Sequence, residues 1–122
     1  MSRLVNEQRK SRFRRMRYRS FHERLTNAVL NGAGDTSESL RRAVLERARK
    51  SSARDGLPQA LEHYVDTVAR HAYKVSDADV TTLQQAGHSD DSIFEITVAA
   101  TVGAALYRLE RGMAALRGEE PD

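Results

Sequence analysis

The chain has 122 residues, 39% of them apolar and 30% charged, with two prolines, seven glycines and no tryptophan, which suits one lean domain rather than a turn-rich sandwich or barrel. Cysteine is absent, and this excludes disulfides, thiolate metal sites and every thiol-based redox mechanism. The net charge of +3 conceals an asymmetry, because residues 1–24 carry nine Lys/Arg against two Glu (a local +7) and residues 25–122 carry eleven against fifteen (a local −4).

Residues 1–19 therefore read as a flexible basic arm, and 20–122 as a single helical domain. Leu4 and Val5 are followed at once by polar and basic residues, so no secretory signal is expected. The weakly charged run 92–107, interrupted by Glu95, Thr97 and Thr101, is short and polar for a bilayer span. The expectation is a cytoplasmic protein with no integral membrane association.

In chain order, Ser20 and Glu23 have capping-box spacing, and Tyr18, Phe21, Leu25, Ala28 and Val29 fall on one face of the helix they would open. Asn31, Gly32 and Gly34 end it. Asp35 and Glu38 repeat the spacing before a second helix with Leu40, Val44 and Ala48 inward, completing a helical pair over 20–52. The polar stretch 51–56 is the expected flexible joint. Pro58 suits the first position of a third helix, whose stripe runs through Leu57, Leu61, Tyr64, Val65, Val68, Ala72 and Val75. Ser76 caps a short fourth helix ending at Gly87. Ser89, followed by Asp90 and Asp91, caps a fifth that extends to about Arg117.

No strand is expected, and the fold class is all-α with about five helices. The first half of the last helix is apolar almost all round, so it needs cover on every side. Four short helices supply too little, which predicts a homo-oligomer joined through the surface of 93–107. Ala99, Ala100, Gly103 and Ala104 are small enough for another helix to approach closely.

Residues 57–117 carry a resemblance. The run Leu57-Pro58, then His71-Ala72-Tyr73-Lys74, then Gln85-Ala86-Gly87-His88-Ser89-Asp90-Asp91-Ser92-Ile93 and the Ala-rich helix resembles the AhpD-like, or carboxymuconolactone decarboxylase, family. The resemblance implies an AhpD-like all-helical core, a trimer or hexamer, and a small-molecule pocket. Where the redox branch has Cys-x-x-Cys, this chain has His71 to Lys74, and Asp77 and Asp79 stand near where a histidine would follow. Thiol peroxidase chemistry is thus excluded, and decarboxylase-like or other proton-transfer chemistry is the enzymatic option that the resemblance leaves.

Candidate residues follow from their positions. His71 shares a helix face with Tyr64 and Thr67, an imidazole beside a phenol that suits proton transfer near neutral pH. Glu95 is the only charged side chain in the apolar run; buried, its pKa would rise and make it a general acid or base, whereas in the first turns it would complement the helix dipole. Lys74 suits an anionic group or a helix C-terminus. The aspartates at the two helix starts read as caps, and neither a metal nor a cofactor is expected. In the arm, Arg9, Lys10, Arg12, Arg14, Arg15, Arg17 and Arg19 are interleaved with Phe13, Tyr18 and Phe21. Such a run suits nucleic-acid phosphates and bases, an acidic protein surface, anionic lipid heads, or plain solvation. Two functions stand side by side: a non-redox pocket enzyme around His71, Tyr64 and Glu95, and a catalytically silent oligomeric scaffold whose arm binds nucleic acid or another acidic partner.

Overall fold

The computed structural model describes the backbone of residues 2–50 and 57–118 and, within residues 2–30, the side chains of Arg9 and of 16–30. The elements are α1 (Ser2–Leu30), α2 (Glu38–Arg49), α3 (Gln59–Arg70), a 3-10 turn (Ala72–Lys74), α4 (Asp77–Gln85) and α5 (Asp90–Leu116). No strand occurs among the described residues, so the fold is all-α with five α-helices, as the periodicity predicts. The expected joint at 51–56 lies outside the described residues.

Helix starts follow side-chain chemistry. The Ser76 hydroxyl accepts from the Asp79 amide and the Asp79 carboxylate accepts from the Ser76 amide, a complete capping box for α4. The Ser89 hydroxyl accepts from the Ser92 amide at 3.1 Å to open α5. Gly87 ends α4's turn at φ +99, a conformation glycine adopts without strain. Two starts differ from expectation. Ser20 lies inside α1, because residues 2–30 contain neither Gly nor Pro and no helix boundary precedes it. The α2 cap is Ser37, whose hydroxyl accepts from Leu40 N at 3.1 Å, while Asp35 sits two residues upstream.

The core forms around α5. Ile93, Ile96, Ala99, Ala100, Ala104 and Leu106 are buried on it, and α2 and α3 are its main partners. The helix that approaches the small-residue face is the chain's own α2. A Cβ on Gly103 would run into the Leu45 carbonyl oxygen and lie 2.9 Å from the Ala48 Cβ, so glycine is what lets the two backbones close. From α3, Leu61, Tyr64 and Val65 enter the same core, and Leu83 enters from α4. A bidentate contact from Arg47 to Asp66, at 3.0 and 2.8 Å, ties α2 to α3. Arg47's hydrogen bond, helped by the charges of Arg47, Arg70 and His63 and opposed by burial, holds the Asp66 carboxyl below its ordinary range.

Among the described residues, cover of α5 is one-sided. Phe94 is 68% exposed, Val98 37% and Tyr107 49%. By length and composition alone α5 would also suffice to cross a membrane; in this fold it is the helix on which the others pack.

Candidate functional site

The most organised polar site lies where α1 turns into α2. Helix α1 ends at Leu30 with carbonyls that have no partner further along the helix. Arg41, on the inward face of α2 and only 6% exposed, supplies the donors from outside. Its Nε donates to Val29 O at 3.0 Å, and Nη2 donates to Leu30 O at 2.9 Å and Gly32 O at 2.7 Å. Nη1 donates to the Thr36 carbonyl and to Thr36 Oγ1.

Glu95, from the second turn of α5, does the converse job for the loop's donors. Its Oε2 accepts from Asp35 N at 2.8 Å, and its Oε1 accepts from Thr36 N at 3.0 Å and from Thr36 Oγ1 at 2.6 Å. Arg41 Nη1 lies 3.6 Å from Glu95 Oε1, so the two side chains close one circuit: the cation takes the carbonyls and the carboxylate takes the amides. Gly34 is part of the fit, since a Cβ there would overlap the Glu95 carboxylate. Ser89 Oγ donates to Asp35 Oδ2 at 3.3 Å, linking the loop to the α5 cap.

The surroundings of Glu95 favour its ionised form. The Thr36 hydroxyl first, then the Asp35 and Thr36 amides, and last the Arg41 charge hold its carboxyl below the ordinary range, against a smaller opposing effect of burial. Three hydrogen-bond donors and a neighbouring guanidinium thus surround the carboxylate. Beside it a pocket of about 330 Å³ opens between α1 and α5, with Val29, Phe94 and Val98 as apolar wall and Asp35 and Asp91 among its polar lining.

The other candidates are dispersed. Tyr64 is 4% exposed and its hydroxyl pairs with Thr97 Oγ1 at 2.7 Å. His71 is exposed beyond the last turn of α3, because that helix stops at Arg70; its amide closes onto Thr67 O at 2.8 Å and its ring meets Tyr73 edge-on at 6.2 Å. Lys74 ends the 3-10 turn, with its ammonium 5.8 Å from the Tyr73 ring. The chain thus places Glu95 with Arg41, Tyr64 with Thr97, and His71 and Lys74 with Tyr73. Among the described residues no three His, Asp or Glu side chains are grouped to hold a metal.

A second polar cluster fastens α1 further back. Glu110 of α5 approaches Arg49 Nη2 at 2.7 Å and His22 Nε2 at 3.9 Å, and the Tyr18 ring meets His22 edge-on at 5.9 Å. The basic run itself lies within α1. Arg9, Arg17 and Arg19 are exposed there, whereas the side chains of Lys10, Arg12, Arg14 and Arg15 fall outside the described residues.

Sequence reasoning missed Arg41. The available signal was its position, three residues before Val44 and seven before Ala48, which puts a guanidinium on the apolar face of α2. Compared with known proteins, the chain matches no family model, no curated protein and no solved structure.

Proposed function

We propose that the chain is a catalytically silent, self-associating helical scaffold that presents its basic helix α1 to nucleic acid. The observation that carries this reading is the concentration of charge: the +7 of residues 1–24 falls within one helix, on which Arg9, Arg17, Arg19 and Arg24 are exposed. Guanidinium groups pair with phosphate oxygens, and binding of this kind releases condensed counterions. Phe21, 44% exposed on the same helix, adds an aromatic face on which a base stacks.

The pocket-enzyme alternative has weaker support. Its three residues serve three separate contacts, with the Tyr64 hydroxyl bonded to Thr97 and the Glu95 carboxylate bonded to the α1–α2 loop. The resemblance of residues 57–117 to carboxymuconolactone decarboxylases rests on the sequence run alone, and the chain has no cysteine for that family's thiol chemistry. Self-association is supported by the apolar side chains that α5 leaves exposed.

The test is binding of a labelled oligonucleotide to the full chain across a salt series. Affinity should fall steeply as salt rises. Changing Arg9, Lys10, Arg12, Arg14 and Arg15 together to Gln, which leaves Tyr18 and His22 in place, should remove most of the binding and flatten the salt slope. Binding unchanged by those substitutions, or no binding at low salt, would overturn the reading.

A further inference from the structure

One side of α5 carries a stripe with a direction. Asp91, Phe94, Val98, Thr101, Ala105 and Arg108 are all exposed and follow one another at three- and four-residue steps, which aligns them along one flank of the helix. The stripe begins acidic, is apolar or small through its middle, and ends basic. It is roughly 25 Å long at ~1.5 Å per residue.

Reversed end for end, the stripe matches itself. Asp91 pairs in height with Arg108, Phe94 with Ala105 and Val98 with Thr101, because all three pairs share one midpoint, between Ala99 and Ala100. Opposite charges meet at both ends, the large ring meets the smallest side chain, and two β-branched residues meet near the centre. A parallel arrangement does the reverse, setting Asp91 against Asp91, Phe94 against Phe94 and Arg108 against Arg108. Antiparallel helices also oppose their dipoles favourably.

We propose that two copies of this chain pair through α5 as an antiparallel, two-fold contact in that register. It rests on the self-association reading above and specifies the face, the direction and the pairing. A two-fold contact repeats each interaction twice, so the Asp91–Arg108 pair occurs at both ends.

The experiment is sedimentation of the full chain over a range of concentrations, with helix content checked by circular dichroism for every variant. The wild-type chain should be an even-numbered oligomer. Asp91→Arg and Arg108→Asp should each raise the dissociation constant by roughly tenfold or more, since each sets like charges against one another at both ends. The double variant should recover to within about threefold of wild type, because the swapped pair is complementary again. Ala105→Arg, which places a long cation against Phe94, should dissociate the pair. A wild-type monomer would overturn both this pairing and the self-association reading. An oligomer indifferent to all three single substitutions, or a cyclic trimer, would overturn the pairing while self-association stood. Single variants that weaken association without rescue in the double would overturn the register.

Discussion

Helix α5 carries two glutamates that meet the α1–α2 hairpin, and they hold it in different ways. Glu95 works through backbone: it accepts two loop amides and a hydroxyl, and its arginine partner donates to four carbonyls. Glu110 works through side chains alone, against Arg49 and His22. The Arg49–Glu110 contact is close, yet Glu110 Oε1 lies outside hydrogen-bond geometry, and Arg49 Nε is buried without a hydrogen bond. A charge that satisfies backbone groups fixes where the chain turns; a charge that meets only another flexible side chain biases a contact already made. The first kind is costly to remove because the backbone groups remain unpaired, those of Leu30 and Thr36 in buried residues.

The largest expected difference comes from the two arginines. Arg41→Ala strips the partners from the Val29, Leu30 and Gly32 carbonyls and leaves Glu95 without its cation, so unfolding in urea should show a loss of about 3 kcal/mol. Arg49→Ala removes an ill-aligned contact and should cost about 1 kcal/mol or less. Equal losses would break the distinction drawn between the two corners.

Acid should separate the two glutamates next. The Glu95 carboxyl is held low in the folded state, so the unfolded chain takes up the proton first as pH falls. Its contribution is therefore present above the unfolded value and lost as pH drops through the folded one. Stability measured from about pH 6 down to pH 3 should fall, and Glu95→Gln should start lower at neutral pH and follow a flatter acid limb. The slope that remains belongs in part to Asp66, held low by Arg47. A Glu95→Gln variant with the full wild-type slope would mean that the carboxylate does not contribute its charge to the loop.

The ends of helices with local chemistry were legible in the sequence. Ser76 with Asp79, and Ser89 before two aspartates, announce α4 and α5 because capping is decided within four residues. The all-α class followed from periodicity for the same reason. Ser20 misled because a capping pair has meaning only where the helix is broken upstream, and nothing breaks it. The site was half legible: Glu95 stood out as a carboxylate in an apolar run, but its partners lie 59 and 60 residues away, and periodicity says nothing about such distances. His71 and Tyr64 share a face only if α3 continues past Arg70, and the 3-10 turn at 72–74 ends that alignment. Among the small residues of α5, expected to admit a helix of another copy, Gly103 admits the chain's own α2.

The smallest effect expected is at Tyr18, on the Glu110 side. Burial, and then the Glu110 carboxylate, push its phenol above the ordinary value, with Arg49 and Arg117 opposing. A raised acid group holds its proton more tightly folded than unfolded, so its contribution is intact below the unfolded value and declines as pH rises through the folded one. Tyr18→Phe keeps the ring against His22 and should change stability at pH 7 by no more than about 0.5 kcal/mol. It should also remove part of the alkaline decline that the wild-type chain shows above about pH 10. Glu110→Gln should soften the same decline, because the charge that opposes phenolate formation is gone, whereas Glu95→Gln should leave it untouched. An alkaline limb that responds to Glu95 instead would show that the two corners are coupled through α1, and that the backbone-directed and side-chain-directed contacts act as one.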